Sequence, residues 1–157
     1  MTQIKPLLYC VVIPLLLSTQ VVLAKSKTWT NTSPAINATH VFKGEINRKG
    51  KPTGYHAKFN GKKVKGAKIE RIRSKPNKVG VYTAEVAIFD EDSKRWKSKF
   101  SSMFPDSMSA RDIIDAILHA YKHREKGKSK PWRGPSGHGF PIEGYLLRNG
   151  KINTAYP

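Results

Sequence analysis

Cysteine is almost absent from this chain of 157 residues. The single thiol, Cys10, lies in an apolar stretch near the N-terminus, so the rest of the chain has none. This lack excludes disulfides, zinc sites built on thiolates, cysteine nucleophiles and thiol redox chemistry from that remainder. The chain must therefore fold around a hydrophobic core, and its length is that of one domain.

Acidic residues are also scarce, with 11 Asp and Glu against 29 Lys and Arg, for a formal net charge of +18. The few acids are unevenly placed: three lie together at positions 90 to 92, whereas residues 62 to 75 contain Glu70 alone. A field of this sign attracts polyanions, and nucleic acid, acidic lipid and acidic glycans are the candidates. Charge alone does not choose among them.

Long hydrophobic runs are missing except at the N-terminus. Lys5 is the only charge in the first 24 residues, residues 6 to 17 form an apolar run, and the stretch ends on Ala24. This arrangement is typical of a secretory signal peptide, although a retained anchor is the alternative, since ~20 apolar residues span a bilayer. Because Pro14 and polar residues 18 to 20 interrupt the run, we favour cleavage after Ala24. The expected product is secreted or periplasmic, with no stable membrane association.

The remainder of the chain divides into a leader and one domain. Residues 25 to 37 are polar and lack hydrophobic periodicity, so we interpret them as a flexible leader that follows the signal peptide at residues 1 to 24. Residues 38 to 157 contain the periodic segments and no internal repeat. They are assigned to one folded domain, which we expect to be a monomer.

Two neighbouring segments show strand periodicity. In residues 80 to 90 apolar side chains recur at every second position: Tyr82, Ala84, Val86 and Ile88. After an acidic turn, residues 96 to 101 alternate again, with Lys97, Lys99 and Ser101 on the face opposite Trp96, Ser98 and Phe100. The two segments predict a hairpin that presents two lysines and a hydroxyl on one surface.

One segment has a convincing helix pattern. Ser109 and Asp112 form a capping box, and apolar residues follow at helical spacing: Ile113, Ile114, Ile117, Leu118 and Tyr121. His119 and His123 fall on the opposite, polar face, and we interpret them as solvated. Short strands with one clear helix and no βαβ alternation predict an α+β fold with a mainly antiparallel, twisted sheet.

The C-terminal third has two turn-rich regions. Residues 127 to 139 are rich in Gly and Pro and are predicted to be a functional loop, in which His138 is a candidate substrate contact. Asn149-Gly150 separates two apolar runs and predicts a hairpin.

Two histidines, His40 and His56, lie in a Lys- and Gly-rich context. One neutral and one protonated imidazole would supply the general base and acid for phosphodiester transfer. With RNA the nucleophile is the substrate's own 2′-hydroxyl, so no metal is needed, and Lys97 or Lys99 could stabilise the phosphorane. The sequence has no H-E-x-x-H motif for a zinc site and no G-x-S-x-G elbow for a serine hydrolase. The residues alone leave open that both histidines are ordinary surface side chains.

Five ordered motifs resemble the bacterial EndoU nuclease domain, a group found in contact-dependent and other polymorphic toxins. They are HVFKGE at residues 40 to 45, GYH at 54 to 56, SSMFPD at 101 to 106, IEGY at 142 to 145 and INTAYP at 152 to 157. The resemblance covers about residues 38 to 157. It implies an endoribonuclease that leaves a 2′,3′-cyclic phosphate, often at or near uridine, without a cofactor, although manganese stimulation is left open.

The resemblance also implies roles for individual residues. His40 and His56 would be the acid and base, in an order that the sequence leaves open. Lys99, ahead of Lys97, would be the catalytic lysine, and Tyr156 and Thr154 would contact base and phosphate. Ser101 and Lys97 are assigned to substrate binding. Glu45 and Glu143 could orient a histidine or form surface ion pairs, and Gly54 permits positive φ or close backbone approach.

Two other functions remain as alternatives. The protein could be a non-catalytic secreted polycation that binds RNA or anionic surfaces, in which case the histidines would be dispensable. It could also be an EndoU toxin delivered to competitor cells, with a cognate immunity protein as its partner. The chemistry of such a toxin would be the same as that of a secreted ribonuclease.

Overall fold

The computed structural model describes residues 28–127 and 130–157. In chain order the elements are α1 (Ala38–Phe42), β1 (Glu45–Ile46), β2 (Pro52–Thr53), β3 (Ala67–Ser74), β4 (Tyr82–Asp90), β5 (Arg95–Met103), α2 (Ala110–Lys122), β6 (Trp132–Pro135), β7 (Pro141–Leu146) and β8 (Ile152–Tyr156). The strands form three antiparallel sheets, ordered β1-β2, β3-β4-β5 and β6-β7-β8. The predicted α+β class is confirmed. The predicted signal peptide lies outside the described residues.

Strand β4 is the centre of the larger sheet. Its alternating apolar residues, from Tyr82 to Ile88, are buried and pack with Met103 of β5 in one core. Strands β4 and β5 pair without interruption, from Tyr82 opposite Met103 to Asp90 opposite Arg95, which confirms the predicted hairpin. Strand β3 is an edge strand whose pairing with β4 has two register shifts.

Helix α2 begins and packs as its sequence predicts. The Ser109 hydroxyl accepts a hydrogen bond from the Asp112 N–H, and the Asp112 carboxylate accepts one from the Ser109 N–H at 2.9 Å. Such caps satisfy amides that would otherwise lack a partner and contribute about 1 kcal/mol. Ile113 and Ile117 are buried in a second core, which α2 shares with α1 and the third sheet.

The third sheet corrects one prediction. Residues 127 to 139 were expected to be a loop, but β6 runs through them and pairs with β7. Trp132 is buried, and Gly134 lies so close to α2 that a Cβ there would be 2.0 Å from the Ala120 carbonyl oxygen. The glycine that suggested a loop therefore allows a strand to lie directly against a helix. The predicted hairpin at Asn149-Gly150 joins β7 to β8.

The described part of the expected leader is packed. Ile36 is fully buried, and the Ile152 N–H of β8 donates to the Ala35 carbonyl at 2.9 Å. The Asn37 N–H in turn donates to the Ile152 carbonyl at 3.0 Å. Residues 35 to 37 therefore extend the folded domain on its N-terminal side. In the described part of the chain, no helix is long and apolar enough to cross a membrane.

The segment that carries both histidines lies between the two larger sheets. Helix α1 contacts β8, while strands β1 and β2 contact β4 and β5. Residues from the N-terminal quarter, the middle hairpin and the C-terminal strand thus meet in one region of the fold.

Candidate active site

His40 is positioned by two residues that flank its short helix, Asn37 before it and Glu45 after it. The Asn37 side chain accepts from the His40 N–H at 3.1 Å and so caps α1. The His40 residue is 7% exposed, and its Nδ1 lies 2.9 Å from Glu45 Oε1. Because a carboxylate only accepts hydrogen bonds, Nδ1 carries the proton that is donated to Glu45. The nitrogen left to exchange a proton with a substrate is Nε2.

His56 is joined to His40 through the backbone. The Tyr55 N–H donates to the His40 carbonyl at 2.7 Å, and the His56 N–H donates to the Val41 carbonyl at 2.8 Å. These carbonyls lie in the last turn of α1, where the helix itself supplies no partner. The short helix is therefore completed by the segment that carries the second histidine.

Gly54 makes this contact possible. Its φ is +76°, and a Cβ there would lie 2.2 Å from the His40 carbonyl oxygen and 2.9 Å from His40 Cδ2. Only glycine fits both the backbone conformation and the space. The sequence-based expectation of positive φ or close approach is met on both counts.

The His56 ring has a defined tautomer. Its Nδ1 lies 3.0 Å from the Ser102 carbonyl oxygen and 3.0 Å from Ser101 Oγ. A carbonyl only accepts, so Nδ1 carries the proton and Nε2 has the lone pair. The Ser101 hydroxyl donates to the Tyr55 carbonyl at 2.9 Å, which leaves its oxygen as an acceptor toward His56.

Burial determines the charge of His56. The side chain is 8% exposed, and desolvation, followed by the nearby Lys99 ammonium, lowers its pKa to about 3. The Ser102 carbonyl opposes this shift, and His40 adds to it. His56 is therefore neutral near pH 7, with a lone pair on Nε2 that can accept a proton.

The two imidazoles form a close pair. Their ring centroids are 6.2 Å apart and their planes are 28° from parallel. Nδ1 of His40 is directed at the Glu45 carboxylate, whereas Nδ1 of His56 is directed at two uncharged oxygens, the Ser102 carbonyl and the Ser101 hydroxyl. Two Nε2 atoms in this arrangement can serve one phosphodiester from two positions.

Lys99 and Lys97 differ in surroundings although both lie on the same face of β5. Lys99 Nζ donates to the Gly54 carbonyl at 3.1 Å, and burial lowers its pKa to about 8. Lys97 Nζ lies 2.7 Å from Asp90 Oδ2 and donates to the Gly50 carbonyl at 2.8 Å, so it joins the β4–β5 hairpin to the β1–β2 turn. Of the two, Lys99 is the one beside His56.

Tyr156 brings the C-terminal strand to the pair. Its ring centroid is 5.4 Å from that of His56, and its hydroxyl donates to Glu143 Oε2 at 3.5 Å. Burial, then Tyr145 and Glu143, raises the pKa of Tyr156 to about 12, so the phenol keeps its proton at neutral pH. Residues far apart in the sequence, His40, His56, Lys99 and Tyr156, are thus brought together.

A sequence model of the bacterial EndoU nuclease family matches residues 35–157. The chain belongs to this family. A Bacillus cereus protein named "Toxin" is 32% identical to it over 118 residues, which are 75% of this chain and 21% of that protein. The chain therefore spans about a fifth of the length of this curated relative. No solved structure matches this chain.

In this EndoU domain two predicted substrate contacts are less open than their motifs suggest. Ser101 is 2% exposed and lies behind His56, so its visible role is to position that ring. Thr154 is also buried, and within the described residues its hydroxyl has no hydrogen-bond partner. The surface that was expected to present two lysines and a hydroxyl is turned inward, because the β1–β2 hairpin covers it.

The remaining histidines of the EndoU domain lie apart from the pair. His119 on α2 and His123 at its C-cap are exposed, as predicted, and their Nδ1 atoms donate to the carbonyls of Pro135 and His119, respectively. His138, a candidate substrate contact, lies 6.4 Å from Phe140 between ring centroids and close to Asp112 of α2. No contact links these three to His40 or His56 in the described residues.

Two features of the site were not predicted from the sequence. Tyr145 interacts with Tyr156, and its presence in the IEGY motif was the available indication. The Ser102 carbonyl, which fixes the tautomer of His56, has no sequence signature because any residue supplies a carbonyl.

Across residues 28–127 and 130–157, no group of three or more His, Cys, Asp or Glu side chains could hold a metal.

Proposed function

We propose that the protein is an endoribonuclease that cleaves single-stranded RNA, at or near uridine, by transesterification. The 2′-oxygen attacks phosphorus, the bond to the 5′-oxygen breaks, and the products are a 2′,3′-cyclic phosphate and a 5′-hydroxyl. One imidazole takes the proton of the 2′-hydroxyl and the other gives a proton to the leaving oxygen. The observation that carries this proposal is the pair of fixed imidazoles 6.2 Å apart beside a lysine.

The surroundings favour one order of proton transfer. His56 is neutral, so it is the general base and receives the 2′-hydroxyl proton on Nε2. His40, whose Nδ1 is hydrogen-bonded to the carboxylate of Glu45, takes the other role and is the general acid that protonates the 5′-oxygen. After one turnover the charges are exchanged, and proton exchange with water restores them.

The other residues act on charge and position. Lys99 stabilises the phosphorane, since its ammonium is close to His56 and partly shielded from water. Tyr156 contacts the base or the phosphate through its ring and its protonated hydroxyl. The reaction as written uses no metal or other cofactor.

The test is cleavage of a uridine-containing oligoribonucleotide by the purified protein in EDTA. We expect products that end in a 2′,3′-cyclic phosphate, and no cleavage where a 2′-deoxynucleotide replaces the scissile residue. RNA that stays intact in EDTA and also with added manganese would remove the enzyme proposal. Cleavage of the deoxy substrate would remove the 2′-hydroxyl mechanism.

Histidine variants separate catalysis from binding. His56→Ala and His40→Ala should each lower kcat by ~10²–10⁴-fold, the usual contribution of a general acid or base, while RNA affinity is retained. His123→Ala is the matched control, because this imidazole is exposed and remote from the pair. If both site variants act like the control, the protein is instead the non-catalytic polycation.

A biological role as a toxin is favoured by the Bacillus cereus relative that carries this name. In that role the nuclease would be exported through the predicted signal peptide, act on RNA of competitor cells and be neutralised by an immunity protein. Expression without the first 24 residues inside a bacterial cell should stop growth, and His56→Ala should relieve the arrest. Growth that continues while cell extracts cleave RNA would argue against the toxin role but not against the enzyme.

A further inference from the structure

Strand β5 has an inverted pattern of exposure. Its lysines and Ser101 point inward, whereas the aromatic residues on its other face point to solvent. Phe100 is 63% exposed and Trp96 is 44% exposed. A strand with one solvated face normally buries its apolar residues and exposes its polar ones. Here the relation is reversed over five consecutive positions from 96 to 100.

The active site explains half of this inversion. Lys97, Lys99 and Ser101 face inward because they bond to the backbone of residues 50 to 55 and to His56. Nothing in the site requires aromatic residues on the opposite face. Small polar residues would avoid exposing two large apolar rings, and such rings grouped on a surface usually mark a site of interaction.

A cation from β3 lies near each ring, and each cation is also paired with a carboxylate: Lys68 with Glu70 and Arg71 with Glu85. Lys68 of β3 places its ammonium 4.6 Å from the centre of the Trp96 ring. Phe100 is paired with Glu85 of β4, and Arg71 of β3 lies 2.8 Å from that carboxylate. The exposed face therefore combines flat apolar rings with guanidinium and ammonium groups, the two elements that single-stranded nucleic acid binders use.

The edge of the sheet adds unpaired positive charge. Between residues 62 and 78 there are eight Lys and Arg, all exposed, and one acid. Within the described residues, five of the lysines have no carboxylate at ion-pair distance: Lys62, Lys63, Lys65, Lys75 and Lys78. These side chains flank β3, so they border the aromatic face along an open edge. A polyanion fits this border, whereas a cationic or uncharged partner does not use it.

We propose that this outer face, defined by Trp96, Phe100 and the cations of residues 62 to 78, is a second RNA-binding surface outside the active site. This inference rests on the proposed function, since it gives the same RNA a second contact. Bases stack on Trp96 and Phe100, whose positions four residues apart on a strand are about 13 Å apart. Phosphates bind the lysines that flank β3.

The position of the surface predicts how it acts. The catalytic pair lies on the inner side of β5 and the aromatic rings lie on the outer side. Only an RNA long enough to pass around the sheet can contact both. The surface therefore lowers KM for long single-stranded RNA, and it leaves the cleavage of a dinucleotide unchanged.

The first measurement is binding in the catalytically inactive His56→Ala protein, by fluorescence anisotropy with a labelled single-stranded RNA of about 20 nucleotides. Adding Trp96→Ala and Phe100→Ala should weaken binding ~10–100-fold, because stacking contributes about 1–3 kcal/mol per base. Trp96→Phe with Phe100→Tyr should restore most of the affinity, since both rings remain. Leu147→Ala, an exposed apolar residue on a different hairpin, is the matched control.

The second measurement compares substrates in the active enzyme. The double alanine variant should raise KM for the long RNA by a similar factor and keep kcat/KM for a uridine dinucleotide. Phe100→Ala is also measured alone. This single variant keeps the packing of Trp96 against Phe89, in which the ring centroids are 5.3 Å apart, so an effect on RNA binding does not come from losing that contact.

Each contrary outcome overturns the surface in a distinct way. Unchanged binding of the long RNA shows that the rings do not contact it. An equal loss on the dinucleotide shows that the variants disturb the active site instead. If sedimentation shows that the wild type self-associates and the double variant does not, the face is a contact between copies. If the wild type binds RNA but does not cleave it, the proposed function fails while the binding test still decides this surface.

Discussion

At the scale of single residues, the two imidazoles are distinguished by their Nδ1 partners. His40 faces the carboxylate of Glu45, whereas His56 faces a carbonyl and a hydroxyl and lies near the ammonium of Lys99. The same side chain therefore receives opposite electrostatic environments at two neighbouring positions. In the proposed mechanism this difference in surroundings is what assigns the base to His56 and the acid to His40.

Lys99 should leave a measurable trace in the pH profile. Burial lowers its pKa to about 8, so its positive charge is lost as the pH rises through that value. Above about pH 8, log kcat/KM of the wild type should fall more steeply with pH than that of Lys99→Arg, by about one log unit per pH unit, because arginine stays charged. Initial rates on an oligoribonucleotide measure this difference. Lys99→Gln should be slow at every pH, and equal slopes for wild type and Lys99→Arg would show that Lys99 does not carry the charge.

At the scale of elements, the site depends on a helix too short to be stable alone. Helix α1 has five residues, and isolated helices below ~12 residues are marginal in water. Its N-terminus is capped by Asn37 and its last carbonyls are bonded by the amides of residues 55 to 57. The interaction that completes the helix is also the one that sets the distance between His40 and His56.

Gly54→Ala should therefore disturb both histidines together. The added methyl would collide with the His40 carbonyl, and the positive φ adds about 1–2 kcal/mol of strain. We expect kcat/KM to fall by about 10²-fold or more, since small displacements of reacting groups have effects of that size. Gly61→Ala is the matched control, with φ +70° and no atom within 4 Å of the added Cβ. Similar losses for both variants in activity and in chemical denaturation would show that backbone strain alone is responsible.

At the scale of the whole molecule, the chain of 157 residues carries a net charge of +18, and its fold keeps His56 neutral in the interior. Self-repulsion from such a charge works against compactness, so burial in the two cores must offset it. In the proposed function the charge serves association with RNA, and the neutral His56 serves as the general base. Both features make the stability of the protein sensitive to acid.

His56 should contribute to acid lability. In the unfolded chain its pKa is the ordinary 6.5, whereas in the fold it is about 3. The unfolded state thus binds a proton between these values and the folded state does not. Stability from this group is complete above pH 6.5 and is lost as the pH falls toward 3. Urea unfolding should show that the free energy of unfolding falls by about 2 kcal/mol more in the wild type than in His56→Gln when the pH is lowered from about 7 to about 4.5.

The control for this measurement is His123→Gln, which replaces an exposed imidazole and should follow the wild type. If His56→Gln loses stability in parallel with the wild type, His56 is not held neutral by the fold.

The elements that follow a simple period were predictable, and the failures have physical causes. The alternation in β4 and the capping box of α2 are local, so they are visible without any tertiary contact. Strand β6 was missed because its glycine serves a close approach to α2, a need that only packing reveals. The interpretation of residues 35 to 37 as part of a leader missed their pairing with β8, more than a hundred residues away.

Residue order and composition were enough to predict the class of the fold, the excess of positive charge and, through five ordered motifs, the family. These properties depend on composition, local periodicity and residue identity. Tertiary contacts make His56 neutral, bring Lys99 rather than Lys97 beside it, and leave the aromatic face of β5 open to solvent. Charge state and exposure depend on which distant residues enclose a side chain, and no local pattern in the chain records that.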